Sequence, residues 1–122
     1  MIYTELNGKL VIKRFNESSF VNGWSDFETI ITGYKSGNVV TLRVTIALVS
    51  GHADMPANTE WSIVVVPDEL LPAEALTFSS VSENGIPVKL IVTRAEGGKL
   101  KIRTTDKAIG RVGIHEVLTY VI

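Results

Sequence analysis

The segment "VVTLRVTIALV", residues 39–49, alternates apolar and polar side chains with a period of two. Five apolar residues fall on one face: Val40, Leu42, Val44, Ile46 and Leu48. Three polar residues fall on the other face: Thr41, Arg43 and Thr45. Because successive side chains of a strand point to opposite faces, this pattern predicts an antiparallel strand with one face on a core and the other in solvent.

The same alternation recurs elsewhere in the chain. Leu100 and Ile102 are predicted to point inward from a strand that also carries outward basic residues, namely Lys99, Lys101 and Arg103. Two further segments alternate in the same way, with inward residues Val88, Leu90 and Val92 in one and Leu118, Tyr120 and Ile122 in the other. "WSIVVV" (61–66) is apolar at both parities, which predicts a strand covered on both sides or lying at an interface.

Residues that favour tight turns separate these segments. Asn7-Gly8 is a strong hairpin signal, and three further turns contain glycine: Ser36-Gly37-Asn38, Glu83-Asn84-Gly85 and Glu96-Gly97-Gly98. In "DELLPAEAL" (68–76), Pro72 and the preceding Pro67 leave room for one helical turn at most. About nine strands at regular spacing predict one all-β domain over residues 1–122, an antiparallel β-sandwich or barrel of Greek-key or jelly-roll type.

Composition narrows the classes of function. The chain has 122 residues, 45% of them hydrophobic and 20% charged, which is the balance of a single globular domain with a core. A formal net charge of -1 and the lack of a long apolar run argue against nucleic acid and membrane as partners. With no cysteine, disulfides and thiolate chemistry are absent.

The residues available for catalysis are few. His52 and His115 are the only histidines, and no Gly-x-Ser-x-Gly turn accompanies them. His52-x-Asp54 would supply two metal ligands, fewer than a closed site needs. His115-Glu116 opens the last predicted strand and is interpreted as a pair at a sheet edge. We therefore expect a protein that is not an enzyme and that binds no cofactor and no metal.

The polar loop in "SGHADMPANTEW" (50–61) is the strongest candidate for a ligand site. Saccharides are held by an aromatic face against their C–H surface and by donors and acceptors to their hydroxyl groups. His52, Asp54, Asn58 and Trp61 offer these groups around one strand-to-strand connection. The alternative for Trp61 is packing in a core or an interface.

The order of the motifs resembles a known family. "ITGYKSGNVVTLRVTIALVSG", a polar loop, "WSIVVVPDELLPAEALTFSSV" and "GGKLKIRTT" together resemble C-terminal domains of bacteriophage tail fibre and baseplate proteins, over roughly residues 24 to 105. Among such proteins, the chain resembles head domains of receptor-binding proteins from phages of lactic acid bacteria. These are compact β-barrels that form homotrimers at the tail tip and bind host cell-wall saccharides.

The resemblance implies a host-adhesion domain of a virion, at the tail tip or baseplate, with other tail proteins as neighbours. It places the saccharide site at Gly51-His52-Ala53-Asp54 and Trp61, with Arg103 as a further candidate. It also implies a homotrimer, which the apolar segments "WSIVVV" and "VLTYVI" (117–122) favour independently. The alternative function is a structural tail appendage, or a protein-docking β module with no glycan ligand.

Overall fold

A computed structural model describes residues 4–6, 9–22, 27–48, 55–109 and 113–122. The described residues form antiparallel strands and three single 3-10 turns, with no α-helix among them. The strands are β1 (Thr4–Leu6), β2 (Lys9–Phe15), β3 (Val21–Asn22), β4 (Phe27–Ser36), β5 (Val39–Leu48), β6 (Glu60–Val65), β7 (Leu76–Val81), β8 (Pro87–Thr93), β9 (Lys99–Thr104) and β10 (Ile114–Val121).

The strands form two five-stranded sheets. The first sheet has the order β1-β2-β4-β5-β10 and the second has the order β3-β6-β9-β8-β7. In the second sheet, β7, β8 and β9 are consecutive neighbours and β6 lies beside β9, which is a Greek-key arrangement. The predicted all-β sandwich of Greek-key type is therefore confirmed.

The core lies between the sheets and follows the predicted alternation. Buried residues of both sheets form one apolar cluster. From β5 it contains Val40, Leu42, Val44 and Ile46; from β8 it contains Val88, Leu90 and Val92; from β9 it contains Leu100 and Ile102. These strand residues are among those that the period-two pattern placed inward, and residues outside the strands, such as Met55, Leu70 and Ile109, complete the cluster.

Strand β6 departs from a regular alternation at a β-bulge. The pairing with β9 shifts between Ser62 and Val64, so Ile63 is an extra residue on the β6 side. Ile63 and Val64 are consecutive and both are buried, as is Val66 after the strand. An extra residue on one strand lets two neighbours point the same way, so this bulge explains much of the apolar run in "WSIVVV" without a second covering layer.

The connections match the turn chemistry of the sequence. Leu6 pairs with Lys9, so β1 and β2 are neighbouring antiparallel strands, and the predicted turn at Asn7-Gly8 lies outside the described residues. Gly37, in the turn between β4 and β5, has a φ of 60°. In the predicted helical segment, Asp68–Leu70 forms one 3-10 turn.

A buried hydrogen bond joins the two halves of the sandwich. The Tyr120 hydroxyl on β10 donates to the Leu70 carbonyl oxygen at 2.5 Å. Burial raises the pKa of Tyr120 above its usual value, so the phenol keeps the proton that it donates. The Tyr120 ring also lies 6.0 Å from the Phe78 ring of β7, and the Ser80 hydroxyl donates to Glu116 of β10. These contacts hold the edge strands β7 and β10 side by side.

Gly98 provides the sharpest test of the packing near β9. Its φ is +89°, and an added Cβ would lie 2.6 Å from Leu71 Cδ1 and 3.3 Å from the Val66 carbonyl oxygen. We expect Gly98→Ala to lower the free energy of unfolding by roughly 2–4 kcal/mol, because backbone strain and overpacking each cost about 1–3 kcal/mol. Urea unfolding followed by circular dichroism measures this loss.

Gly97→Ala is the matched control for this substitution. Gly97 has a φ of +85° but nothing within 4 Å of its added Cβ, so only the backbone strain remains. We expect the control to lose roughly 1–2 kcal/mol. Equal losses in the two variants would contradict the close packing of Leu71 on Gly98.

Candidate functional site

Two of the five predicted saccharide-binding residues, His52 and Asp54, lie outside the described residues. Asn58 is exposed in the turn before β6, where it adopts a φ of 51° and its backbone N–H donates to the Thr105 carbonyl at 2.7 Å. The loop therefore presents the Asn58 amide at one end of the second sheet.

The structure does not bring Trp61 and Arg103 together. Trp61 pairs with Ile102, and its half-buried side chain packs against the core cluster. Arg103 pairs with the preceding residue, Glu60, and is exposed. Since neighbouring positions on a strand point to opposite faces, Trp61 lies on the inner face and Arg103 on the outer face. The position of Trp61 agrees with the packing alternative.

Carboxylates neutralise much of the basic row on β9. Arg103 Nε and Nη2 donate to Glu60 Oε1 at 3.1 and 2.8 Å. Lys101 Nζ lies 3.6 Å from Glu60 Oε2 and 3.1 Å from Glu96 Oε2. The hydrogen bond from Arg103 is the main cause that lowers the pKa of Glu60, and both cations add to it. A ligand of Arg103 would therefore compete with Glu60 for this guanidinium.

A different set of polar side chains converges on the outer face of the first sheet. Arg14 on β2 pairs with Tyr34 on β4, and Thr32 on β4 pairs with Arg43 on β5. With Ile12 these residues line a shallow depression of about 470 Å³. We call this depression the tyrosine subsite.

The tyrosine subsite has the chemistry of a polar ligand site. Tyr34 is half-buried between neighbouring strands, whereas Arg14 and Arg43 are exposed. Within the part of the chain that the structure describes, neither guanidinium is paired with a carboxylate. A guanidinium donates in a planar fork to hydroxyl groups and more strongly to carboxylate or phosphate, so both arginines can receive a ligand without losing an internal partner.

A second depression of about 450 Å³ lies beside the first and also includes Arg43. Its other outward side chains are Thr45 on β5 and His115 and Val117 on β10. We call it the histidine subsite. Since Arg43 borders both depressions, they are neighbours on one sheet face.

The imidazole of His115 is held from two sides. Its Nδ1 lies 3.3 Å from Thr45 Oγ1, and its Nε2 lies 2.9 Å from Glu83 Oε1. Gly113 makes room for this carboxylate, because an added Cβ there would overlap Glu83. A hydroxyl, an imidazole and a carboxylate in this order resemble a hydrolytic triad, but 3.3 Å exceeds the usual distance for activating a nucleophile. We interpret the contacts as orienting the ring.

His115 and Glu116 do not form a pair with each other. His115 projects from the outer face, whereas Glu116 accepts a hydrogen bond from the Ser80 hydroxyl at 2.9 Å. The predicted position of these two residues at a sheet edge is confirmed, because β10 is the last strand of the first sheet. The two side chains lie on opposite faces because they are consecutive residues of one strand.

Metal ligands are not clustered in the described residues. No group of three or more His, Cys, Asp or Glu side chains in those ranges could hold an ion. The expectation that the protein binds no metal stays a prediction, because His52 and Asp54 lie outside those ranges.

No helix among the described residues is long and apolar enough to span a membrane.

The sequence contained only part of the signal for the tyrosine subsite. The alternation in "VVTLRVTIALV" places Arg43 outward, but Arg14 and Tyr34 are not among the predicted site residues. Arg14 and Tyr34 are 20 positions apart in the sequence, and the order of the strands brings them together. Tyr34 is an outward aromatic residue near a hairpin turn, and this feature is the one local indication of a ligand site there.

The chain matches no protein-family model and no curated protein sequence. The resemblance to phage receptor-binding heads therefore stays a prediction.

The Glu60–Arg103 pair leads to a pH-dependent prediction. Because the pKa of Glu60 is lowered in the folded state, the stability it contributes is present above its usual value of 4.5 and is lost as the pH falls through the lowered value. We expect Glu60→Gln to cost about 0.5–1 kcal/mol at pH 7, the range of partly exposed ion pairs. The variant and the wild type should become equally stable in acid.

Urea unfolding at a series of pH values measures this effect. Glu74→Gln is the control, since Glu74 is exposed and pairs with no cation among the described residues. A loss in Glu60→Gln that is as large at pH 3 as at pH 7 would show that the carboxylate charge is not the cause.

Proposed function

We propose that this chain is a host-adhesion domain of a bacteriophage tail tip or baseplate, which binds a host cell-surface saccharide non-covalently. The resemblance of its motifs to receptor-binding heads supports the class. The observation that carries the binding function is the tyrosine subsite, where Tyr34 lines one depression with Arg14 and Arg43, whose guanidinium groups have no carboxylate partner among the described residues.

The geometry suits a sugar ring. The half-buried ring of Tyr34 offers an apolar surface to C–H groups, and its hydroxyl offers a donor and an acceptor. Arg14 and Arg43 donate to ring hydroxyls, or to a carboxylate or phosphate on an acidic saccharide. Directly opposite residues on paired strands lie about 4.5–5.5 Å apart, so the sheet holds these groups in a fixed array.

A shallow site of this kind favours weak binding. The depression buries little of a hydrated ligand, so the affinity of one site is expected on the order of millimolar to micromolar. Several linked copies on one virion would raise the avidity by a factor of about 10²–10⁴. This arrangement suits reversible adhesion without cleavage of the saccharide.

A second candidate function, docking to another tail protein or to further copies of this chain, is favoured by exposed valines on β10. Val117 and Val121 are 55% and 58% exposed on the outer face of an edge strand. In contrast, Ile63, Val64 and Val66 of "WSIVVV" are buried within one chain. Of these two apolar segments, "VLTYVI" is therefore the one that leaves valines more than half exposed.

Alanine substitutions distinguish the two possible saccharide sites. We expect Tyr34→Ala and Arg43→Ala each to weaken binding tenfold or more, since a hydrogen bond to a charged group is worth about 1.5–3 kcal/mol. The measurement is binding of the labelled protein to intact lactic acid bacteria and to their purified cell-wall polysaccharides. Circular dichroism verifies that each variant folds.

Arg103→Ala is the matched control, because it removes an exposed arginine from the other sheet. Retention of binding in Arg103→Ala with loss in Arg43→Ala supports the tyrosine subsite. Loss in Asp54→Ala or Trp61→Ala together with normal binding in Tyr34→Ala would place the site in the loop. Release of new reducing ends from the polysaccharide would contradict the non-enzymatic proposal.

The proposed homotrimer gives a separate prediction. We expect light scattering at micromolar concentration to show three times the mass of the chain, and Val121→Lys to shift the protein toward the monomer by placing a charge on the apolar surface. Thr77→Lys, on the exposed face of β7, is the control and should leave the mass unchanged. A monomeric wild-type protein would contradict the trimer.

A further inference from the structure

We propose that the tyrosine subsite and the histidine subsite form one groove across the first sheet, which holds an extended saccharide chain of at least two linked units. This inference rests on the proposed function and adds the form of the ligand. The observation behind it is that Arg43 lines both depressions, so that one guanidinium lies at their common border.

The strand order sets the direction of the groove. The tyrosine subsite draws its residues from β2, β4 and β5, and the histidine subsite draws them from β5 and β10. These four strands are consecutive in the sheet, with spacings of about 4.7–4.9 Å, so the groove extends about 14 Å across them. This length exceeds one pyranose ring and accommodates at least two linked rings.

Each half of the groove is large enough for a ring of its own. Volumes of about 470 and 450 Å³ both fall within the range of roughly 300–1,000 Å³ found for small-molecule sites. A ligand consisting of one ring would leave one depression empty and would use Arg43 from one side only.

The two halves offer different contacts. The tyrosine subsite combines an aromatic ring with Arg14 and the Thr32 hydroxyl. The histidine subsite combines an imidazole, held between Thr45 and Glu83, with the exposed apolar side chain of Val117. Because Glu83 holds Nε2, a ligand hydroxyl can replace the long Thr45 contact at Nδ1, and a valine suits the C–H surface of a sugar. The second ring of a chain would therefore add affinity of its own.

The position of Arg43 assigns it a role in connecting the subsites. Its neighbours across the strands are Thr32 on one side and Val117 on the other. A fork of donors at this point reaches groups on both rings, so Arg43 contributes to ligands of every length. Arg14 and Tyr34 act on the first ring, and His115 acts on the second.

The experiment measures how affinity depends on the length of the ligand. Cell-wall polysaccharide from a lactic acid bacterium that the full chain binds is cleaved with mild acid, and monosaccharide to hexasaccharide fragments are separated by size. Titration calorimetry with the full chain should show at least tenfold tighter binding of the trisaccharide than of the monosaccharide, about 1.4 kcal/mol. The affinity should change little beyond the length that fills the groove.

Substitutions connect this length dependence to the histidine subsite. We expect His115→Ala to lower the affinity for the trisaccharide roughly three- to tenfold more than that for the monosaccharide, whereas Arg14→Ala lowers both by the same factor. His115→Gln, which keeps a donor and an acceptor, should retain part of the length dependence. Lys89→Ala, on the other sheet, is the control for loss of a surface group.

The possible failures are distinguishable. If no polysaccharide binds, the proposed function fails and the groove with it. If monosaccharide and trisaccharide bind equally tightly, or if His115→Ala lowers both affinities by the same factor, the proposed function stands and the groove is wrong.

Discussion

The register of β5 is the constraint on which both the core and the outer face depend. β5 pairs with β4 over ten residue pairs and with β10 over eight. Because side chains alternate with a period of two, a slip by one residue would move Leu42 into solvent and Arg43 into the core. The cost of burying an unpaired guanidinium makes such a slip highly unfavourable. The packing that fixes the fold therefore also positions the residues of the proposed binding site.

The two outer faces differ in whether their cations are already paired. On the second sheet, Arg103 and Lys101 share Glu60, so a ligand there would compete with an existing ion pair. On the first sheet, Arg14 and Arg43 are solvated and have no such competitor within the described ranges. On the first sheet a ligand would replace protein–water contacts, whereas on the second sheet it would also compete with the charge-assisted hydrogen bonds to Glu60. The number of basic side chains alone would have favoured a ligand site on the second sheet. Because those side chains are already paired with carboxylates, the first sheet is favoured instead.

Local sequence patterns predict the strands well and the site poorly, for a physical reason. Alternation identifies which side of a strand is buried, as for Leu100 and Ile102, because that property repeats along the chain itself. An apolar run such as that around Ile63 has no alternation, so its bulge could not be located. The proximity of Arg14, Tyr34 and Arg43 depends on which strands become neighbours. That choice follows from long-range packing between segments, which no short motif records.

The edge strand β10 shows how an exposed apolar surface can be kept from uncontrolled pairing. Glu116 points inward, accepts the Ser80 hydroxyl at 2.9 Å and also accepts the Val117 backbone N–H at 3.1 Å. The carboxylate accepts a hydrogen bond from a backbone N–H of the edge strand, and its charge opposes the approach of another strand. Charged side chains are a common protection of sheet edges. Val117 and Val121 remain exposed on the face of the same strand. Assembly through β10 would therefore use the face of the strand at Val121, which does not line the histidine subsite, and not its backbone edge.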